Sequence, residues 1–226
     1  MTMQITKSWF YNLEDFWEIS RFEISDWLKI IALDNWKTSK EIIVWKDVDL
    51  KICWFLEKEE NYEIVFRQIW EKSNLEVNYL NLAKDSEKIK AKIHSKIESN
   101  FSQSDVFVSS ICWDNWEVDL DWIIELAPNF RKMAWHLTEE NIFLWDKGRV
   151  RWIPALLVKS NEVEASHACK IEKISEEDLF YLRSRWIDKQ NASFILVESK
   201  VKNIFKNMEN EEIYPYLIEK ILWKIF

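Results

Sequence analysis

The sequence contains a single glycine in 226 residues, together with three prolines. Average glycine usage of about 7% predicts roughly 16 in a chain of this length. No stretch is rich in proline, glycine and serine, so the sequence offers no flexible linker between independent domains. The length allows one sizeable hydrophobic core with a small appendage.

The signatures of common enzyme classes are also missing. The chain has no Walker loop, no nucleophile elbow and no HExxH helix. These absences argue against nucleotide hydrolysis and hydrolase chemistry. Three cysteines, Cys53, Cys112 and Cys169, are too far apart for a CxxC metal pair. An odd number of thiols without a secretory signal suggests reduced cysteines in the cytoplasm.

Long apolar runs are absent as well, and no stretch approaches the 18 residues of a membrane span. Acidic residues interrupt the apolar N-terminal stretch, which does not fit a signal peptide. The net charge of −8 and the isoelectric point near 5.1 argue against a nucleic-acid partner. The sequence therefore predicts a cytoplasmic protein without a membrane or nucleic-acid partner.

Tryptophan is present in unusual excess, with 15 residues. Several lie in turn sequences where glycine is expected, at 34–36 (DNW), 44–47 (VWKD), 114–116 (DNW) and 144–147 (LWDK). Our hypothesis is that most of them are UGA codons that the source organism reads as glycine. A protein that is truly rich in tryptophan is the alternative.

Short alternating segments fill residues 22–174 and predict many strands. Their uneven spacing fits a sandwich, a barrel or a solenoid, and the pattern alone does not choose among these. We expect residues 1–21 to be a short lead-in and residues 175–226 to be a helical segment. We also expect that removing the helical segment would leave a soluble β core.

The last predicted strand, 162–171, alternates a largely apolar face with a polar one. Its odd positions include His167 and Cys169, which therefore point to the same side of the strand. Helix signals follow directly. Ser175 can cap a helix at Asp178, Asp188 can cap a second, and Pro215 suits the first turn of a third.

The segment 154–187 carries a family resemblance when glycine is read at position 186. Its matching residues are Pro154-Ala155-Leu156, Glu164-Ala165-Ser166-His167 and 179–187 (LFYLRSRWI), with 141–145 (NIFLW) upstream. The segment resembles the SufB/SufD family of iron–sulfur cluster assembly proteins. The Ser-His pair and LFYLRSR look more like SufD than SufB. Glu139 and Glu140 stand where SufB proteins carry a thiol, which argues against the principal scaffold role.

The resemblance implies a right-handed parallel β-helix with C-terminal α-helices. It also implies a non-catalytic subunit that works with a SufC-like ATPase and with a SufB-like subunit or a second copy of itself. A transient iron–sulfur cluster would form at the subunit interface, with His167 as cofactor and metal ligand and Cys169 as a second metal ligand. ATP would enter only through the partner ATPase. The helical end would bind that ATPase through Phe180, Tyr181, Leu182, Arg183 and Arg185.

Other interpretations stay open. His167 could be a hydrogen-bonded core histidine, and Cys169 a small hydrophobe. The apolar residues of the first helix could instead seal the end of the solenoid. The chain could also be a polysaccharide-acting β-helix enzyme, which needs a pair of carboxylates, or a purely structural interaction module.

Overall fold

The computed structural model describes residues 1–34, 39–56, 60–83, 88–112, 117–143, 149–206, 212 and 214–225. The strands are β1 Thr2–Ile5, β2 Phe10–Asn12, β3 Arg21–Ile24, β4 Lys29–Asp34, β5 Lys40–Val44, β6 Asp49–Leu56, β7 Glu60–Gln68, β8 Asn74–Ala83, β9 Lys88–Ile97, β10 Gln103–Cys112, β11 Glu117–Leu126, β12 Met133–Phe143, β13 Arg149–Val158 and β14 Val163–Lys173. A 3-10 helix, Leu13–Phe16, follows β2, and three helices end the chain: α1 Glu176–Ser184, α2 Lys189–Ile204 and α3 Tyr214–Ile225.

Within the described residues the strands form two seven-stranded sheets, and the chain alternates between them. Odd-numbered strands pair with the next odd strand and even-numbered strands with the next even strand, always in parallel. The coil lengthens along the chain. Thr2 pairs with Arg21 in the first coil, whereas Gln103 pairs with Ala134 near the end. The predicted parallel β-helix with C-terminal helices is therefore confirmed.

One corner of the solenoid is a column of residues with left-handed backbone: Trp27, Asp47, Lys72, Phe101 and Lys132. Each donates its backbone N–H to a carbonyl oxygen in the next coil, over 2.8–3.2 Å. The repeated hydrogen bond turns the chain into five successive even strands, β4 to β12, at the same place. The column therefore stacks the coils in register.

The main core fills the space between the two sheets. β9 and β11 alternate buried residues with half-buried or exposed ones along their length, as a strand with one inward face does. The largest fully buried side chains include Trp122, Trp135, Tyr62 and Tyr79. One contiguous cluster extends from Ile5 in β1 to Leu137 in β12.

A second core lies on the outer face of the even sheet, beneath the C-terminal helices. Leu33, Cys53, Leu80, Ile111 and Ile142 come from five successive even strands. The side chains that cover them come from α2 and α3 and the residue after α2: Val197, Val201, Ile204, Phe205, Leu217, Ile218 and Ile221.

The helix starts follow the sequence signals. The Ser175 hydroxyl accepts the Asp178 backbone N–H, and the Asp188 carboxylate accepts that of Asn191. α2 and α3 cover a row of apolar side chains, which weighs against the prediction that the β core stays soluble without the helical segment.

Residues 1–21, expected to be a lead-in, contain β1 and β2, which pair with β3 and β4. The early coils are short, with Thr2 and Arg21 only 19 residues apart. Their strands have three or four residues, which is too few for an alternating pattern to be recognised in the sequence. At the other end, β14 stops at Lys173 and α1 begins at Glu176. In the described part of the chain, no helix is long and apolar enough to cross a membrane.

Candidate functional site

The residues singled out in the last strand lie at the C-terminal end of the solenoid. β14 pairs with β12 so that His167 is opposite Leu137 and Cys169 is opposite Glu139. Leu137 belongs to the main core, so His167 and Cys169 lie on the inward side of the sheet. Among the described strands β14 is the last of the even sheet. This inward row is therefore at an open end.

A hydrogen bond joins His167 to the neighbouring strand. Its Nε2 lies 2.9 Å from Oε1 of Glu139. The Glu139 side chain is 1% exposed, whereas that of His167 is 34% exposed. The carboxylate is thus fixed inside the fold, and the imidazole extends from it to the open end.

Burial raises the pKa of Glu139, while His167 and the hydrogen bond from Cys169 act to lower it. Partial burial also raises the pKa of Cys169, and the hydrogen bond to Glu139 and its charge add to that effect. The Cys169 thiol therefore holds its proton more strongly than an ordinary cysteine does, and it donates a hydrogen bond to Glu139. It would have to lose that proton to bind a metal.

The outer face of β14 is tied to α2 by charged side chains. Lys170 contacts Glu140 at 3.3 Å and Glu172 at 2.5 Å, and Lys200 of α2 pairs with Glu172. Burial acts to raise the pKa of Glu172, but the ammonium groups of Lys170 and Lys200 outweigh it and lower the pKa to about 2. This cluster holds the edge strand against the helices.

Helix α1 places its aromatic residues on the surface. Of its nine residues only Leu179 is buried. Phe180 is 75% exposed, Tyr181 is exposed and Leu182 is half-buried. The guanidinium of Arg185 lies 4.7 Å from the centre of the Tyr181 ring.

Phe180 and Arg183 line a surface groove of about 590 Å³ that continues into the start of α2. Because Phe180 and Tyr181 face outward, they do not seal the end of the solenoid. The surface therefore carries the aromatic and basic side chains that were predicted to bind a partner.

The other histidines and cysteines lie elsewhere. His94 is on the outer face of the odd sheet, with Nε2 3.7 Å from Glu125. His136 bonds Ser166 through Nδ1 at 2.7 Å. Cys53 is buried beneath the helices, where burial strongly raises its pKa. The side chain of Cys112 lies outside the described part of the structure.

The polysaccharide-enzyme alternative directs attention to the acidic residues of the odd sheet. Asp119 accepts two hydrogen bonds from Arg151, at 2.8 and 2.6 Å. Lys159 donates to Glu125 at 2.8 Å. These carboxylates are held in ion pairs on the outer face of the sheet.

Glu139 is the site residue that sequence reasoning missed. In the sequence it stands out only as a departure from a thiol, not as a partner of His167. It precedes His167 by 28 residues, which is close to one coil in this part of the solenoid. That spacing becomes a signal only once the coil length is known. Within the described ranges, no group of three or more His, Cys, Asp or Glu side chains is arranged to hold a metal ion.

Residues 58–200, more than half of the chain, match the family model of the SUF system for iron–sulfur cluster assembly, the SufBD core domain. The matched region contains β7 through most of α2, including the whole of the site described above.

Two curated relatives also match parts of the chain. An iron–sulfur cluster assembly SufBD family protein of Pyrococcus horikoshii is 34% identical over 98 residues, which is 43% of this chain and 22% of the relative. The iron–sulfur cluster assembly protein SufD of Escherichia coli is 22% identical over 151 residues, which is 67% of this chain and 36% of the relative. The chain thus aligns with only about a quarter to a third of the length of these relatives.

Proposed function

The chain belongs to the SufBD family of iron–sulfur cluster assembly proteins, and we propose on that premise that it is a SufD-like subunit that is not itself an enzyme. The likeness to the E. coli SufD protein extends over two thirds of the chain. Glu139 and Glu140 occupy the part of β12 where the resemblance places the SufB thiol. Both features favour the accessory subunit over the principal scaffold.

The observation that carries this proposal is the position of His167 and Cys169, side by side on the last described strand of the even sheet. Imidazole and thiolate are both competent iron ligands. Two donors at an exposed edge leave coordination positions that residues of another subunit can fill. We place the nascent cluster, the cargo of the complex, between this edge and a SufB-like subunit or a second copy of the chain.

The edge is suited to such a contact. Strand edges offer unpaired backbone groups as a template for another chain. β13 and β14 also expose a set of apolar side chains: Ile153, Leu156, Leu157, Val158 and Ile171. Apolar side chains of this kind form the centre of protein interfaces.

A SufC-like ATPase is the second proposed partner, docked on α1 in the cytoplasm. Aromatic and arginine side chains dominate the energetics of interfaces. Helix α1 and the residue that caps its end provide both kinds around one leucine: Phe180, Tyr181, Leu182, Arg183 and Arg185. ATP would be bound by the partner alone.

The test is His167→Ala in the complex purified with its ATPase and partner subunit, with iron and acid-labile sulfide measured per complex. Bound iron and sulfide should fall to background, because a ligand is lost. The melting temperature should change little, since an ordinary substitution costs about 1 kcal/mol. Cys169→Ser should have a weaker effect.

His136→Ala is the matched control, because His136 lies on the same sheet but faces outward to Ser166. It should leave cluster content unchanged. Normal cluster content in His167→Ala, with a large fall in melting temperature, would assign His167 to the core and contradict the proposal. Oligosaccharide turnover by the purified chain would favour the polysaccharide enzyme instead.

A further inference from the structure

We propose that Glu139 is the positioning residue of this site, holding Nε2 of His167 so that Nδ1 is the ring nitrogen presented to the cluster. This inference deepens the proposed function and rests on it for the identity of the ligand. The hydrogen bond and the tautomer are properties of the chain alone, so they can be examined without any cluster.

The first support is the rigidity of the carboxylate. Glu139 lies in the middle of β12, which pairs on both sides with β10 and β14. Its side chain is 1% exposed. The carboxylate is therefore enclosed by its neighbours, with Oε1 2.9 Å from Nε2.

The second support is the way a carboxylate selects a tautomer. An ionised carboxylate only accepts hydrogen bonds, so Nε2 of a neutral imidazole must carry the proton. The lone pair then resides on Nδ1, which is the atom free to bind a metal. Carboxylates that orient metal-binding histidines in this way are a recurrent feature of metal sites.

The third support is that one carboxylate serves both proposed ligands. The Cys169 thiol also bonds Glu139, and Asn141 contacts the same thiol from β12. Asn141 is itself buried. A single group on the neighbouring strand thus sets the direction of the imidazole and, for as long as the thiol keeps its proton, of the sulfur as well.

The first experiment is ¹⁵N NMR of the imidazoles in the chain alone, at about pH 8.5, where an ordinary imidazole is neutral. The chain has three histidines, so the spectrum of His167→Ala assigns the signals of His167. We expect the Nε2–H tautomer in the unmodified chain. Glu139→Gln should shift the His167 nitrogens toward a mixture of tautomers, because the charge that favours Nε2–H is gone.

Glu140→Gln is the matched control: the same change on the adjacent residue, whose carboxylate faces outward to Lys170. It should leave the His167 signals unchanged. Glu139→Asp is a second variant that keeps the charge but shortens the reach, and it should also disturb the tautomer. An Nδ1–H tautomer in the unmodified chain, or equal spectra for Glu139→Gln and Glu140→Gln, would overturn the assignment.

The second experiment measures iron and sulfide in the purified complex. Loss of a carboxylate behind a metal-binding histidine typically costs 10- to 100-fold, so cluster yield should fall by about that factor in Glu139→Gln and stay normal in Glu140→Gln. If His167→Ala abolishes the cluster while Glu139→Gln does not, the positioning role fails and the proposed function stands. If His167→Ala is normal, the proposed function itself fails.

Discussion

At the scale of single residues, Trp186 is the clearest case of a side chain that does not suit its backbone. It follows the end of α1 with φ of 67°, its N–H bonds the Arg183 carbonyl, and its side chain is 99% exposed. This is the helix-terminating position where glycine is the usual residue. Trp27 also has positive φ, but it shares the corner column with residues such as Lys72 and Phe101. Position 186 is therefore the sharper test of the glycine hypothesis.

We predict that mass spectrometry of the protein from its source organism finds glycine at position 186. In the recombinant chain, Trp186→Gly should raise the free energy of unfolding by about 1 kcal/mol, because left-handed backbone costs other residues roughly 1–2 kcal/mol. Urea denaturation measures the change. Trp9→Gly is the control, since Trp9 is exposed but is not among the residues with positive φ. It should be neutral or destabilising. Tryptophan in the native peptide would end the hypothesis.

At the scale of elements, the C-terminal helices differ in how much apolar surface they bury. α2 and α3 cover the apolar row of the even sheet from Leu33 to Ile142. α1 buries only Leu179. Deleting residues 175–226 would uncover the apolar row, and we expect the remainder to aggregate. Point variants on α1 are the cleaner way to test whether it binds the proposed ATPase.

We predict that Phe180→Ala and Tyr181→Ala each weaken binding of the ATPase about tenfold or more, the size expected for central interface residues. Both side chains are exposed, so the melting temperature should hardly move. Affinity can be measured by titration calorimetry. Tyr216→Ala, which removes an exposed tyrosine of α3, is the control and should bind normally. Equal affinity in all three variants would remove α1 from the interface.

The elements themselves were largely predictable, and their pairing was not. The alternation of apolar and polar residues in β9 and β11 predicted strands with one buried face. Ser175 and Asp188 predicted two helix starts. Pairing depends on coil length, which changes from 19 residues to about 30 and leaves no fixed period. The prediction of a parallel β-helix therefore rested on the family resemblance and not on the pattern of apolar and polar residues.

The same physics explains why part of the site was missed. His167 and Cys169 are two residues apart on one strand, so the alternation alone showed that they share a face. Glu139 became their neighbour only through the register of β12 with β14. A contact across coils is invisible until the coil length is known.

At the scale of the whole molecule, the two ends of the solenoid differ. At the first coils α3 contributes a contact, since Lys220 lies 3.3 Å from Glu14 of the 3-10 helix. At the last coil β13 and β14 expose apolar side chains, and Ile171 is 69% exposed on the same side of β14 as the site. A solenoid needs its end covered to stay soluble, by a cap or by another chain. In this protein the proposed partner subunit would supply that cover and complete the site with the same contact.

We predict that Ile171→Lys disrupts this association, because a buried ammonium without a partner is strongly unfavourable. Sedimentation velocity of the chain, alone and with the SufB-like subunit, should show loss of the larger species and a parallel loss of bound iron. Ile195→Lys, the same change on the surface of α2, should preserve both. Because Ile171 is already exposed in the single chain, the melting temperature of the isolated variant should stay near that of the unmodified chain. Association that survives Ile171→Lys would place the partner elsewhere, and His167 and Cys169 would then have to act on an open surface.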